Sequence, residues 1–81
     1  MVELRMSEIK LGKYRHFKGM EYEVIGLARH SEDPSVELVI YRALYDSEEF
    51  GKNALWARPK DMFFENIVRD GKEFPRFKSL D

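Results

Sequence analysis

Histidine is the residue type in this chain best suited to acid–base chemistry, and the sequence contains two, His16 and His30. A nearby glutamate would give either imidazole the carboxylate partner that general acid–base catalysis uses. The sequence has no cysteine, and its histidines lack the close spacing typical of metal ligands. The residues therefore predict no catalytic group, no metal site and no cofactor. They favour a hydrogen-bonding or ligand-binding role for both histidines.

Two arginines lie among aromatic residues. Arg58 follows Trp56 by two positions, and Arg76 directly precedes Phe77. A planar guanidinium can hold a carboxylate or phosphate while a neighbouring ring stacks on a base or sugar. The alternative is that each arginine covers the core and pairs with an acidic side chain. Phenol and indole groups tolerate a wet edge, so the predicted binding surface consists of His16, His30, Tyr41, Trp56, Arg58 and Arg76.

Basic residues near the N-terminus, Lys13, Arg15 and Lys18, would extend this surface. Basic and aromatic groups interleaved on a barrel face are typical of single-stranded nucleic-acid binding. The other interpretation is an ordinary solvated strand. The net charge of −1 is too balanced for non-specific nucleic-acid affinity through the whole surface, but residues 21–50 contain eight acidic and two basic side chains. We therefore expect the basic groups to act locally.

Length and composition limit the chain to one domain with a small core. Its 81 residues include 43% hydrophobic and 14% aromatic residues, which is enough for a packed globule. The absence of cysteine favours a reducing, cytoplasmic location. No apolar run approaches the roughly 20 residues that span a bilayer, so the sequence predicts no membrane partner.

The elements that must position the binding residues are strands. Residues 20–29 and 36–45 are rich in β-branched and aromatic residues and predict two long antiparallel strands joined by a turn at Ser31–Ser35. The alternation of the first strand is lost after Val24, and Gly26 predicts a bulge or bend there. Shorter signals predict a strand through His16 with a turn at Lys18-Gly19, and an acidic loop at 46–53. Further along the chain they predict a strand at 55–58, a helical turn at Pro59–Phe64 and a two-residue hairpin turn at Asp70-Gly71.

This order of elements predicts a mainly β fold. We expect a small, strongly bent antiparallel barrel of five or six strands, SH3-like in the broad sense, with one short helical turn. A roll with one covering helix is the competing architecture. The barrel domain would span residues 12–77, between a loosely ordered arm at residues 1–11 and a frayed C-terminus at residues 78–81.

Five short motifs occur in order along the chain: YRHFKG, ARHSE, IYRALY, WxRPxxMF and PRF. Over residues 12–77 the sequence closely resembles a family of small bacterial proteins known as domain-of-unknown-function family 1653. The resemblance implies a bacterial, stand-alone cytoplasmic domain. It implies no reaction.

The function predicted from these observations is that of a small, non-enzymatic binding module. It would recognise an anionic or planar partner, such as a nucleotide, a nucleic acid or a peptide, through the aromatic and arginine surface. One alternative is an enzyme or enzyme subunit that acts on a small phosphorylated or nucleobase-bearing substrate with His30 and a carboxylate. A second alternative is assembly with another protein through an exposed strand edge.

Overall fold

The structure is a computed structural model that describes residues 9–81. Over that range the chain forms nine strands and one short helix. The strands are β1 (Gly12–His16), β2 (Glu21–His30), β3 (Asp33–Ala43), β4 (Asp46–Ser47), β5 (Gly51–Lys52), β6 (Leu55–Pro59), β7 (Asn66–Arg69), β8 (Lys72–Pro75) and β9 (Phe77–Ser79), and the helix α1 is Lys60–Phe63.

Five strands form one antiparallel sheet in the order β6-β3-β2-β1-β9, and β4–β5 and β7–β8 form two small hairpins. The predicted antiparallel, mainly β fold with one helical turn is confirmed. The predicted closure into an SH3-like barrel is not found in residues 9–81, where β6 and β9 remain the two edges of the sheet. These edges approach through side chains, with the Arg58 guanidinium 5.6 Å from the Phe77 ring centroid. The acidic segment 46–53, predicted as a loop, contains the β4–β5 hairpin.

A β-bulge at Ile25 bends the long strand β2. Val24 pairs with Tyr41 and Gly26 pairs with Ile40, which leaves Ile25 as the extra residue. The bulge changes the alternation by one position, so that Leu27 packs against the core instead of pointing outward. The loss of alternation seen in the sequence after Val24 therefore has a structural cause, and the predicted bulge is confirmed.

Turns form where the sequence predicts them, with one difference. Asp70 and Gly71 have φ values of 52° and 75°, the two positive φ angles that a tight hairpin turn requires. The β2–β3 turn is shorter than predicted, because β3 already begins at Asp33 and His30 pairs with it. Pro34 is accommodated in a second register shift, a position where its missing N–H breaks no ladder bond.

Aromatic rings fill the inner face of the sheet. Helix α1 places Phe63 there, where it meets the Tyr14 and Tyr41 rings edge-on at 5.4 and 5.2 Å between centroids. Such edge-to-face pairs add about 0.5–1.5 kcal/mol each to the effect of burial. The buried core consists of Tyr14, Tyr22, Val24, Val39, Tyr41, Ala43, Phe63 and Phe77.

Residues that precede β1 and residues that follow β9 form hydrogen bonds with β1. The Tyr14 hydroxyl donates to the Lys10 carbonyl at 2.7 Å, and the Leu80 amide donates to the Lys13 carbonyl at 2.9 Å. The Lys13 amide donates to the Asp81 carboxylate at 3.1 Å. Most of the predicted arm, residues 1–8, lies outside the described residues, so the division into arm, domain and C-terminus stays a prediction.

Candidate anion-binding cleft

A cleft of about 290 Å³ opens beside His16, and we call it the His16 cleft. Its lining combines three aromatic or imidazole rings with two cationic side chains. The lining residues are Arg15, His16, Phe17, Phe74, Pro75 and Lys78. This mixture suits a ligand that carries both negative charge and a planar group.

Three elements meet at the His16 cleft. Strand β1 ends there, and its pairing with β9 sets Arg15 opposite Lys78 and His16 opposite Phe77. The third element is the end of β8, which approaches because the Phe17 amide donates to the Arg76 carbonyl at 2.9 Å. The site is therefore built on a strand pair and tied by backbone hydrogen bonds.

The rings of the cleft form a continuous aromatic wall. His16 lies 4.5 Å from Phe17 between ring centroids, and Phe17 lies 5.9 Å from Phe74. Two cations, Lys18 and Arg69, approach the Phe17 ring centroid at 5.9 and 5.2 Å. Cations near a ring face are attracted to its negative quadrupole, so positive charge collects around the wall.

His16 lies in a positive environment. Its Nδ1 accepts a hydrogen bond from the Lys18 amide at 3.2 Å, which in the neutral ring leaves the proton on Nε2. Burial is the first cause that lowers the pKa of His16 from its ordinary value, followed by the positive charges of Arg58, Arg76 and Lys18. The neutral imidazole is thus favoured until a negative charge arrives.

Arg58 and Arg76 are outside the cleft lining but close enough for their positive charges to act on His16. Arg58 donates from Nε to the Tyr41 hydroxyl at 3.1 Å, and no ion pair ties it to an acid within residues 9–81. Arg76 donates from Nη2 to Glu65 at 3.0 Å, while its buried Nε has no partner in the described part of the chain. The positive charge at His16 is therefore only partly neutralised.

The structure brings together four of the predicted binding residues and separates two. The His16 and Tyr41 rings and the Arg58 guanidinium lie around the Phe77 ring, and Arg76 is close enough for its charge to act on His16. The Tyr41 ring itself is buried in the core rather than at a wet edge. The binding roles of these residues remain predictions.

His30 and Trp56 lie away from the His16 cleft. His16 and His30 are near opposite ends of β2, which at about 3.3 Å per residue separates them by roughly 30 Å. His30 Nδ1 is 3.9 Å from a Glu32 carboxylate oxygen at a turn where both side chains are exposed. Trp56 packs edge-on against Phe50, with a centroid distance of 5.0 Å.

Sequence reasoning missed Phe17, Phe74, Arg69 and Lys78 as members of one surface. The signal for two of them was present. The Asp70-Gly71 turn pairs Arg69 with Lys72, and the period of two then places Phe74 on the same face as Lys72 and Arg69. The contact of that face with Phe17 depends on how the hairpin docks, which no local pattern encodes.

A second cleft, of about 230 Å³, lies between the start of β3 and helix α1. Its one cation, Lys60, lies 3.5 Å from Glu37, and Asp61 also lines this cleft, so its charge does not favour an anion. No group of three metal-ligating side chains occurs among residues 9–81. In the same residues no helix has the length and apolar character needed to cross a membrane.

Fold and cleft together define a small, mainly β domain with an open antiparallel sheet and a basic, aromatic cleft at the end of β1. The chain belongs to the family described as protein of unknown function DUF1653, whose model matches residues 12–79. It is similar to the crystal structure of a DUF1653 protein from Bordetella bronchiseptica, with 29% identity and a TM-score of 0.79. That match covers 93% of this chain and 91% of the other. Among curated proteins, no sequence matches this chain.

Proposed function

We propose that this protein is a non-enzymatic binding module whose His16 cleft recognises an anionic ligand bearing a planar group. The observation that carries the proposal is the convergence of three rings and several cations on one cleft. Phe17 and Phe74 offer ring faces, and Arg15 and Lys78 offer charge in the same wall. A ligand with only one of these two properties would leave half of the lining unused.

The electrostatics of His16 support an anionic ligand. Burial is the first cause of the lowered pKa of His16, and the nearby cations lower this pKa further because they repel a proton. The same cations attract an anion. The Arg58 guanidinium strengthens this field, since its only described polar contact is the Tyr41 hydroxyl. Bacterial origin and a cytoplasmic location belong to the same proposal, supported by the cysteine-free sequence and the bacterial source of the similar structure.

The first experiment separates the contributions of charge and ring. We would titrate the labelled protein with thymidine 5′-monophosphate, thymidine and inorganic phosphate, and follow backbone amide shifts by NMR. We expect the monophosphate to shift the amides of His16, Phe17 and Phe74 with a Kd of about 1 mM or tighter. Thymidine and phosphate alone should each bind at least tenfold more weakly.

A matched pair of variants tests whether the ring of the cleft matters. Phe74→Leu keeps an apolar side chain in the wall but removes the ring, so it should weaken monophosphate binding several-fold. Phe50→Leu removes an exposed ring that packs on Trp56, outside the cleft lining, and should leave binding unchanged. Unmoved cleft amides with all three probes at about 10 mM, or equal loss in both variants, would contradict the proposal.

A further inference from the structure

We infer that the ligand of the His16 cleft is a single-stranded nucleic acid, with one base in the cleft and its neighbouring phosphates held by cations within and beyond the cleft wall. The inference rests on the proposed function and narrows its ligand to one chemical class. Three features of the cleft carry it: the distribution of its cations, its size and the ring faces that it offers.

The cations extend further than a single small ligand reaches. Arg15 and Lys78 are paired neighbours in the cleft wall. Lys18 and Arg69 lie outside the lining but against the Phe17 ring, which does line it. A ligand confined to the cleft reaches only the first pair. A chain of phosphates that continues past Phe17 reaches both pairs.

These cations are available for phosphate contacts. Lys18, Arg69 and Lys78 have no carboxylate within 4.0 Å in the part of the chain that the structure describes. Arg15 lies 3.1 Å from Glu21, but its side chain is 52% exposed in that pair. An exposed ion pair of this kind contributes little and is screened by salt, so a phosphate competes with it readily.

The size and rings of the cleft fit one nucleotide unit. Its volume of about 290 Å³ lies just below the range of about 300–1,000 Å³ for small-molecule sites. Phe17 and Phe74 line the cleft and are half-buried, and aromatic rings in such a wall can stack on any base. An acidic peptide would satisfy the cations but not the rings, and a duplex keeps its bases stacked on one another. A single strand satisfies both.

Fluorescence anisotropy of a labelled oligodeoxythymidylate of about eight nucleotides tests the inference, since stacking sites of this kind cover about 4–16 nucleotides. The comparison ligands are thymidine 5′-monophosphate, a duplex of the same length and polyglutamate, each as a competitor. We expect the oligonucleotide to bind at least tenfold more tightly than every competitor. Its affinity should fall with salt at a log–log slope of about −2 to −3, as expected for three or four phosphate contacts at about −0.7 each.

Charge variants on the two sides of Phe17 locate the strand. Lys78→Ala and Arg69→Ala should each weaken oligonucleotide binding several-fold and reduce the salt slope by about 0.7. Lys52→Ala in the β4–β5 hairpin, outside the cleft lining, is the matched control and should change neither quantity. The monophosphate should respond to Lys78→Ala only, because Arg69 lies beyond the cleft wall.

The outcomes separate this inference from the proposed function. If the monophosphate binds as tightly as the oligonucleotide, the strand is excluded and the binding module stands. Tighter binding of the duplex or of polyglutamate also overturns the strand inference, as does an Arg69→Ala variant that behaves like Lys52→Ala. If neither the monophosphate nor the oligonucleotide binds, both the inference and the proposed function are overturned.

Discussion

The Phe63 and Phe77 rings stack face to face, with 4.1 Å between their centroids and only 5° between their planes. Phe63 comes from helix α1 and Phe77 from β9, an edge of the sheet, so this one contact joins two distant parts of the chain over the core. Phe77 also touches Tyr41, His16 and Arg58. The packing of the core and the geometry of the His16 cleft therefore depend on the same pair of rings.

Removing one ring of this pair should be costly. Phe63 is fully buried, and Phe63→Ala should lower the free energy of unfolding by about 3–5 kcal/mol through lost burial and the cavity left behind. That is a large part of the 5–15 kcal/mol typical of a whole domain. Urea denaturation measures the loss. The neighbouring Phe64 is 40% exposed, so Phe64→Ala is the control and should cost clearly less; equal losses would contradict the central role of the stack.

Gly12 is a position that only glycine fits. Its φ is +113°, and a Cβ there would overlap the Asp81 carboxylate. Gly12→Ala should therefore destabilise the protein by about 1–3 kcal/mol, through backbone strain and loss of the contact between Asp81 and the Lys13 amide. Thermal or urea unfolding measures the change.

Gly26 provides the matched control for that substitution. It lies in β2 without a positive φ, and an added Cβ meets nothing within 4 Å. Gly26→Ala should be neutral or stabilise by up to about 0.5–1 kcal/mol, because glycine in a strand is entropically unfavourable. Similar destabilisation by both substitutions would mean that neither the positive φ of Gly12 nor the overlap with Asp81 is the cause.

The lowered pKa of His16 predicts how stability depends on pH. Below the ordinary value of 6.5, the unfolded chain takes up a proton on His16 that the folded protein resists. Stability should therefore fall as pH decreases from about 6.5 through the folded pKa, and then level off as far as this residue is concerned. Unfolding free energies of the protein and of His16→Gln between pH 7 and 5 check this, because the variant should lose that part of the slope.

The same linkage predicts the pH dependence of ligand binding. A negative charge beside His16 raises its pKa, so binding of a phosphodiester, whose own charge is constant in this range, should tighten as pH falls below 6.5. NMR titration of the His16 ring with and without the oligonucleotide measures the shift. An unchanged or lower pKa in the complex would place the phosphates away from His16.

Buried tyrosines predict a loss of stability in alkali. The Tyr22 and Tyr45 hydroxyl oxygens are 2.6 Å apart, and burial, followed by this hydrogen bond, raises the pKa of Tyr22 from 10.0. The stability that Tyr22 contributes is complete below pH 10 and is lost as pH rises above it, since only the unfolded chain then ionises readily. Unfolding free energies at pH 9 to 11 should decline less steeply for Tyr22→Phe than for the unchanged protein. Parallel declines would assign the effect to other groups, such as Tyr14.

Local features of the fold could be predicted from sequence because each depends on a few adjacent residues. The Asp70-Gly71 turn, the bulge near Gly26 and the helical turn after Pro59 all belong to this group. Closure into a barrel is unconfirmed, because within residues 9–81 β6 and β9 approach through Arg58 and Phe77 without backbone pairing, and no local pattern in the sequence encodes that contact.

The candidate site was predicted only in part for a similar reason. After β6, which holds Arg58, the chain passes through α1, β7 and β8 before it reaches Phe77 in β9. Phe77 then lies beside both His16 and Arg58, and Arg76 directly precedes it. The separation of His30 from His16, by contrast, follows from the length of the predicted strand, because the ten residues of β2 place His30 at the far end of the sheet. The Tyr41 ring lies in the core and not at the expected wet edge, because β3 is a central strand, while its hydroxyl accepts a hydrogen bond from Arg58.

The bulge at Ile25 makes the length of β2 as important as its composition. One surplus residue between Val24 and Gly26 sets which half of the later strand faces Val39 and the core. If Ile25 took a regular place in the ladder instead of bulging, Leu27 would turn toward water and Gly26 and Ala28 would turn inward. Removal of Ile25 itself would leave Gly26 opposite Ile40 and Leu27 opposite Val39, so β2 can keep its inner face with one residue fewer but not with the present length and no bulge.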